Sequence, residues 1–211
     1  MAHDTTKPLI GGMLLFPGFE LLDATGPLTV LGKVPSQLAM TTFAERTGSV
    51  ESSLGVGLLA KHDLTDCPPL DLLVVPGGPG TRTEVANERL LHAIRERAAE
   101  ARTVFSVCTG AALLARAGVL DGRRATTNKQ AFQWVCEQSR DVEWVSRARW
   151  VEDGRFVTSS GVTAGIDAAF AVLARLLGEE LADAVARGLE YRREHDPLND
   201  PFGSATTSSS P

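Results

Sequence analysis

Apolar runs closed by turn residues recur along this chain, and most are followed by a stretch with helical spacing. Pro8–Phe16 is such a run, and its end at Pro17-Gly18 predicts a buried strand entering a turn. Leu21–Gly32 has helical periodicity, with Pro27 acceptable only if it falls in the first turn. Leu38–Ala44 reads as a second strand, and Ser49–Leu59 as short strands or a hairpin. The run "LDLLVVPGG" is apolar without alternation and stops at paired glycines, as expected of a parallel strand buried on both faces. Glu84–Ala101 predicts a charged amphipathic helix and Thr103–Val107 another buried strand. Thr109–Ala117 predicts a helix that Gly118 closes. Arg124–Thr127 is short and strand-like, with a helix expected over Lys129–Gln138. "RWVEDGRFVTSSG" predicts a hairpin turning at Asp153-Gly154, and Ala164–Leu177 and Glu180–Arg193 predict closing helices.

Strands alternating with helices imply an α/β fold with a mostly parallel sheet covered on both faces. Ligands of such sheets bind outside the carboxyl ends of the strands. Three predicted turns fall there: Pro17–Asp23, Pro76–Gly80 and Ser106–Gly110. The fold brings them together.

Composition adds limits to this picture. The chain has 211 residues, 43% of them hydrophobic and 22% charged, which suits one soluble domain, expected over residues 8–195. Residues 1–7 and the Ser/Thr/Pro-rich 203–211 are expected to be flexible. A net charge of −5 with no cluster of Lys and Arg among aromatics argues against a nucleic-acid partner. The apolar runs are too short to span a bilayer, and the first residues lack the layout of a signal peptide, so no membrane partner and a cytoplasmic location are expected. Cys67, Cys108 and Cys136 form an odd, widely spaced set, which suits free thiols in a reducing compartment. No cofactor is implied. The four histidines are scattered outside the predicted turns, so neither a metal site nor a Cys–His pair is expected.

Cys108 lies where a buried strand passes into a helix, the layout of a nucleophile elbow. The first N–H groups of that helix are expected to favour its thiolate. The competing reading is a small buried thiol. Asp23 and Glu20 share the turn after the first strand, and either acid can exchange protons with the sulfur or with substrate. Spacing does not choose between them, and Asp23 equally fits a helix cap. "PGGPG" permits close approach of the backbone. The Gly77 and Gly78 amides, with the N–H of Thr109, are expected to form donors like those of an oxyanion hole. "GVGLLA" matches a dinucleotide fingerprint in letters only, since it neither follows the first strand nor opens a helix. Cys67 and Cys136 read as packing residues, and Asp167 as part of a helix core ahead of the alternative that it caps or orients a helix near the site.

"FPGFELLDATGP", "VVPGGPG", "SVCTGAALLARAGVLDGRRATT" and "VTSSGVTAGIDAAF" occur in this order, between about Ile10 and Tyr191. Together they resemble the ThiJ/PfpI superfamily, related to class I glutamine amidotransferases, and within it the isonitrile (isocyanide) hydratase-like branch. The resemblance implies a flavodoxin-like three-layer sandwich with a cysteine at the elbow, and a homodimer. It selects Asp23 over Glu20 through "LDATGP". It implies hydration of a small isocyanide to an N-substituted formamide, with Cys108 as nucleophile and Asp23 handling protons. Gly77, Gly78, Thr109 and Asn128 would then orient substrate or water. Thr109 stands where protease and amidase relatives carry histidine, which argues against peptide cleavage. Asn128-Lys129 stands where the hydratase branch commonly has histidine, so the pocket differs there. The alternatives are a redox-responsive cysteine protein and a glyoxalase- or deglycase-like stress protein of the same superfamily.

Overall fold

The computed structural model describes residues 7–203. In chain order the elements are β1 (Leu9–Leu14), α1 (Leu21–Leu31), β2 (Leu38–Phe43), β3 (Gly48–Glu51), β4 (Gly57–Ala60), β5 (Leu72–Val75), α2 (Thr81–Glu84), α3 (Glu88–Glu100), β6 (Thr103–Ser106) and α4 (Gly110–Arg116). They continue with β7 (Arg124–Ala125), α5 (Phe132–Cys136), β8 (Glu143–Trp144), β9 (Trp150–Asp153), β10 (Phe156–Ser159), α6 (Ala164–Leu177) and α7 (Glu179–Gly188).

Six strands form the central sheet in the order β2-β1-β5-β6-β10-β9. All neighbours are parallel except β9 and β10. Helices α1, α6 and α7 pack as one group, and α2, α3 and α4 as another. The sheet lies between them, a flavodoxin-like α/β sandwich. Every residue of β5 and β6 is buried, as unbroken apolar runs covered on both faces require. The chain runs from β1 outward to β2 and then returns to β5 on the other side of β1. Strand order therefore reverses between β1 and β5, and a crevice opens at such a point. The turns after β1, β5 and β6 meet there.

Several boundaries differ from the expectation for local reasons. Pro27 lies beyond the first turn of α1, so the Asp23 carbonyl four residues earlier has no helical donor. The helix expected over Glu84–Ala101 is broken, because Asn87 caps α3 by accepting from the Leu90 N–H at 3.2 Å. The helix expected over Lys129–Gln138 shrinks to α5, its approach held by the Asn128 carbonyl oxygen accepting from the Gln130 and Ala131 amides. Helix α7 stops well before Arg193. Glu190 takes a φ of 52°, and the Tyr191 N–H folds back onto the Ala186 carbonyl at 2.9 Å. The hairpin turn is Gly154-Arg155 instead of Asp153-Gly154, since Asp153 already pairs with Phe156.

The packed chain continues past residue 195. The Pro197 carbonyl accepts from the Arg149 N–H at 2.7 Å, and Gly203 is buried. Most of the termini expected to be flexible lies outside the described residues. Among the described residues, no helix is long and apolar enough to cross a membrane.

Candidate active site

Cys108 follows β6 with a φ of 55°, a left-handed conformation that costs a non-glycine residue about 1–3 kcal/mol. The surroundings hold it there. Its N–H donates to the Ser160 carbonyl at 3.1 Å, and the Thr127 hydroxyl donates to its own carbonyl at 2.8 Å. The bend lifts the side chain out of the sheet toward the turns after β1 and β5. A Cβ on Gly110 would come within 2.7 Å of the Pro76 carbonyl oxygen, so the turn admits only glycine next to Thr109.

Asp23 lies in the first turn of α1 and is fully buried. It does not cap the helix, because Glu20 occupies the cap position. Asp23 Oδ2 accepts from the Gly77 N–H at 2.9 Å, while Oδ1 has no well-directed donor. Burial pushes its carboxyl up to about 7. The Gly77 N–H opposes that rise, the charge of Glu20 adds to it, and the neighbouring Cys108 thiol lowers it slightly. Glu20 is only half-buried and accepts from the Ser53 hydroxyl at 3.2 Å, so it acts on Asp23 through charge alone.

The expectation of a thiolate at Cys108 is overturned. Burial, followed by the charge of Asp23, pushes the thiol up to about 12, against the lowering effect of donors from Thr109 and Asn128. Near neutrality the resting pair is a thiol beside a carboxyl poised between its two forms.

Gly77 and Gly78 do not present a free pair of amides either. Gly77 N–H holds Asp23, and Gly78 N–H donates to Thr109 Oγ1 at 2.9 Å. Each amide orients a side chain that faces the sulfur. A Cβ on Gly77 would sit 2.6 Å from the Thr109 nitrogen and 2.9 Å from Asp23 Oδ2. Thr81 Oγ1, which donates to the Gly78 carbonyl at 2.7 Å, lies 3.2 Å from Thr109 Oγ1, and the single Thr109 hydroxyl proton faces the Gly78 carbonyl at 3.3 Å and the sulfur. Asn128 commits its oxygen to two backbone amides, so its NH₂ is the half left for Cys108. The donors around the sulfur are thus the Thr109 N–H, the Thr109 hydroxyl and the Asn128 amide.

All six residues singled out from the sequence meet at this point. Thr127 and Ser160, which fix the Cys108 backbone, were missed. Both lie inside recognisable motifs, but only the fold shows that they reach the elbow. Cys67 and Cys136 are free thiols away from it. Among the described residues, no three His, Cys, Asp or Glu side chains group as a metal would require.

Residues 12–175 match the DJ-1/PfpI family. The chain belongs to the DJ-1/PfpI family. Isonitrile hydratase of Pseudomonas putida is 39% identical to this DJ-1/PfpI chain over 180 residues, 85% of the chain and 77% of that relative. The HTH-type transcriptional regulator GbdR of Pseudomonas aeruginosa is 28% identical over 187 residues, which are 86% of this chain but 50% of the regulator. The crystal structure of a ThiJ/PfpI family protein from Pseudomonas syringae superimposes with a TM-score of 0.81 at 27% identity, covering 92% of this chain and 79% of that one. The family therefore contains both enzymes and parts of regulators, and the chemistry at Cys108 has to be argued from its own neighbours.

Proposed function

We propose that the protein hydrates isocyanides, adding water to R–N≡C to give R–NH–CHO, with Cys108 as nucleophile and Asp23 as the group that carries protons. The observation that supports this most directly is a buried carboxyl with one unpartnered oxygen beside a thiol that is protonated at rest. The 39% identity to an isonitrile hydratase supports the same substrate class.

The terminal carbon of an isocyanide needs both a nucleophile and a proton. Ionised Asp23 takes the thiol proton as the sulfur forms its bond to that carbon, and then delivers the proton to the same carbon. The product is a thioimidate, Cys–S–CH=N–R. Water adds across the C=N bond, its oxygen going to carbon and a proton to nitrogen. The C–S bond then breaks as the hydroxyl becomes the formyl C=O and its proton returns through Asp23 to the sulfur. Nothing is oxidised or reduced. The donors of Thr109 and Asn128 stabilise the sulfur while it is anionic, at the start and again as it leaves.

Formamide formation from a panel of alkyl and aryl isocyanides, followed by mass spectrometry, tests the proposal. Wild type should turn over, and Cys108→Ala should fall to the uncatalysed background. Asp23→Asn should lose about 10²–10⁴-fold. No formamide from any member of the panel with wild type would overturn the substrate class. Full activity in Asp23→Asn would overturn the proton route.

A further inference from the structure

A cavity of about 270 Å³ opens beside the elbow, lined by Asn128, Gly161, Val162 and Ala164 on one side and by Asp200 and Phe202 on the other. It shares Asn128 with the site. It is also lined by Ser160, whose carbonyl holds the Cys108 N–H. Its far wall comes from the segment after α7, which crosses back over the sheet edge. Asp200 is the anchor of that segment. Its side chain is 1% exposed, lies 3.4 Å from Lys129 Nζ and accepts from the Ser160 hydroxyl at 3.2 Å. Its other oxygen accepts from the Phe202 N–H at 3.1 Å, which sets the direction in which the chain leaves the cavity. Phe202 itself is 69% exposed. A large aromatic left in solvent at the mouth of a cavity, on a segment pinned from both sides, has the form of a wall awaiting a ligand.

We infer that this cavity receives the R group of the substrate and that Phe202 is the residue that sets its size limit. The inference rests on the proposed hydration reaction for the identity of the substrate, but the geometry of the wall stands apart from it. The charges at the cavity are already satisfied: Lys129 pairs with Asp200 and Arg149 with Asp167. The rest of the lining sets Val162, Ala164 and Phe202 among the uncharged Gln130, Ser160 and Thr163, so the group accepted is neutral. Ligand pockets run from about 300 to 1,000 Å³, and this one lies at or below the lower end of that range, which favours a compact substituent.

Phe202→Ala and Phe202→Trp test the wall without disturbing the core, since the side chain is exposed. The first readout is the ratio of kcat/KM for a bulky isocyanide to that for a small one. It should rise roughly tenfold in Phe202→Ala and fall in Phe202→Trp, the scale set by a change of one or a few carbons in an apolar pocket. Leu198→Ala, on the same segment but outside the lining, should leave the ratio where it is. The second readout is the rate of alkylation of Cys108 by reagents of graded size, iodoacetamide against a bulky maleimide, followed on the Cys108 peptide by mass spectrometry after digestion, since Cys67 and Cys136 are also free. It needs no turnover. If wild type hydrates no isocyanide yet the alkylation ratio shifts in opposite directions in the two variants, the wall stands and only the proposed substrate falls. Identical ratios for alkylation in wild type, Phe202→Ala and Phe202→Trp overturn the wall.

Discussion

Asp23 occupies the position where a negative charge is most costly, and that cost is what makes it useful. A carboxyl raised to about 7 is ionised half the time near neutrality, so it can accept the thiol proton and release it within one cycle. Since the ionised form is the competent base, kcat/KM for isocyanide hydration should climb about tenfold per pH unit below 7 and level off above 8. No fall is expected near pH 9, because the Cys108 thiol is pushed up to about 12. A pH–rate profile from 5 to 9 that falls with rising pH would contradict this assignment. The same burial links to stability. Folding raises the carboxyl from 3.8, so between about pH 4 and 7 the folded chain binds the extra proton. That contribution is present at low pH and is lost as pH rises through 7. Asp23→Asn should therefore melt higher than wild type at pH 8, with the gap closing toward pH 5, while it lacks activity. The positions of Asp23 and Cys108 were legible in the sequence. Their protonation states were not, because those depend on burial by residues from β1, β5 and β6 together.

The elbow shows which parts of an element its own residues decide. "TVFS" and "LLVV" become strands because unbroken apolar runs have nowhere to go but the middle of a parallel sheet, and that was legible. The fold also supplies the reason for the small residue after Thr109: the start of α4 presses on the backbone of β5 and Pro76. Gly110→Ala should cost about 1–3 kcal/mol in urea unfolding, as overpacking does, and should also lower activity by moving Thr109. Unchanged stability would mean that the elbow relaxes freely. Element ends were less legible where a side chain overrides the pattern. Asn87 starts α3 late, Asn128 delays α5, and Glu190 ends α7 early. The segment 196–203 was the least legible. Its sequence has no periodicity, and its partners Lys129, Arg149 and Ser160 are distant along the chain.

At the scale of the molecule, the C-terminal residues are returned to the sheet beside the site, and one buried carboxylate organises that return. Asp167 on α6 is 2% exposed and receives four donors. Arg149 approaches through Nε at 2.8 Å and Nη2 at 2.6 Å, and the Tyr191 hydroxyl and the Glu194 N–H each stand at 3.0 Å. Tyr191 also stacks on Phe170, so the chain after α7 is held by both charge and packing. The Arg149 backbone continues the tie by donating to Pro197. Reading Asp167 as part of a helix core captured its burial but not this role, since no periodicity reveals that Arg149, just before β9, and two residues from beyond α7 converge on it. Asp167→Ala leaves the Arg149 guanidinium, itself only 14% exposed, without its partner. Removing one member of a buried ion pair costs about 3–5 kcal/mol. The urea midpoint should fall accordingly at an unchanged slope, and the chain between Leu189 and Gly203 should become open to proteolysis before the sheet unfolds. A loss below about 1 kcal/mol, the range of exposed pairs, would show that the return of the C-terminal segment is held by packing alone.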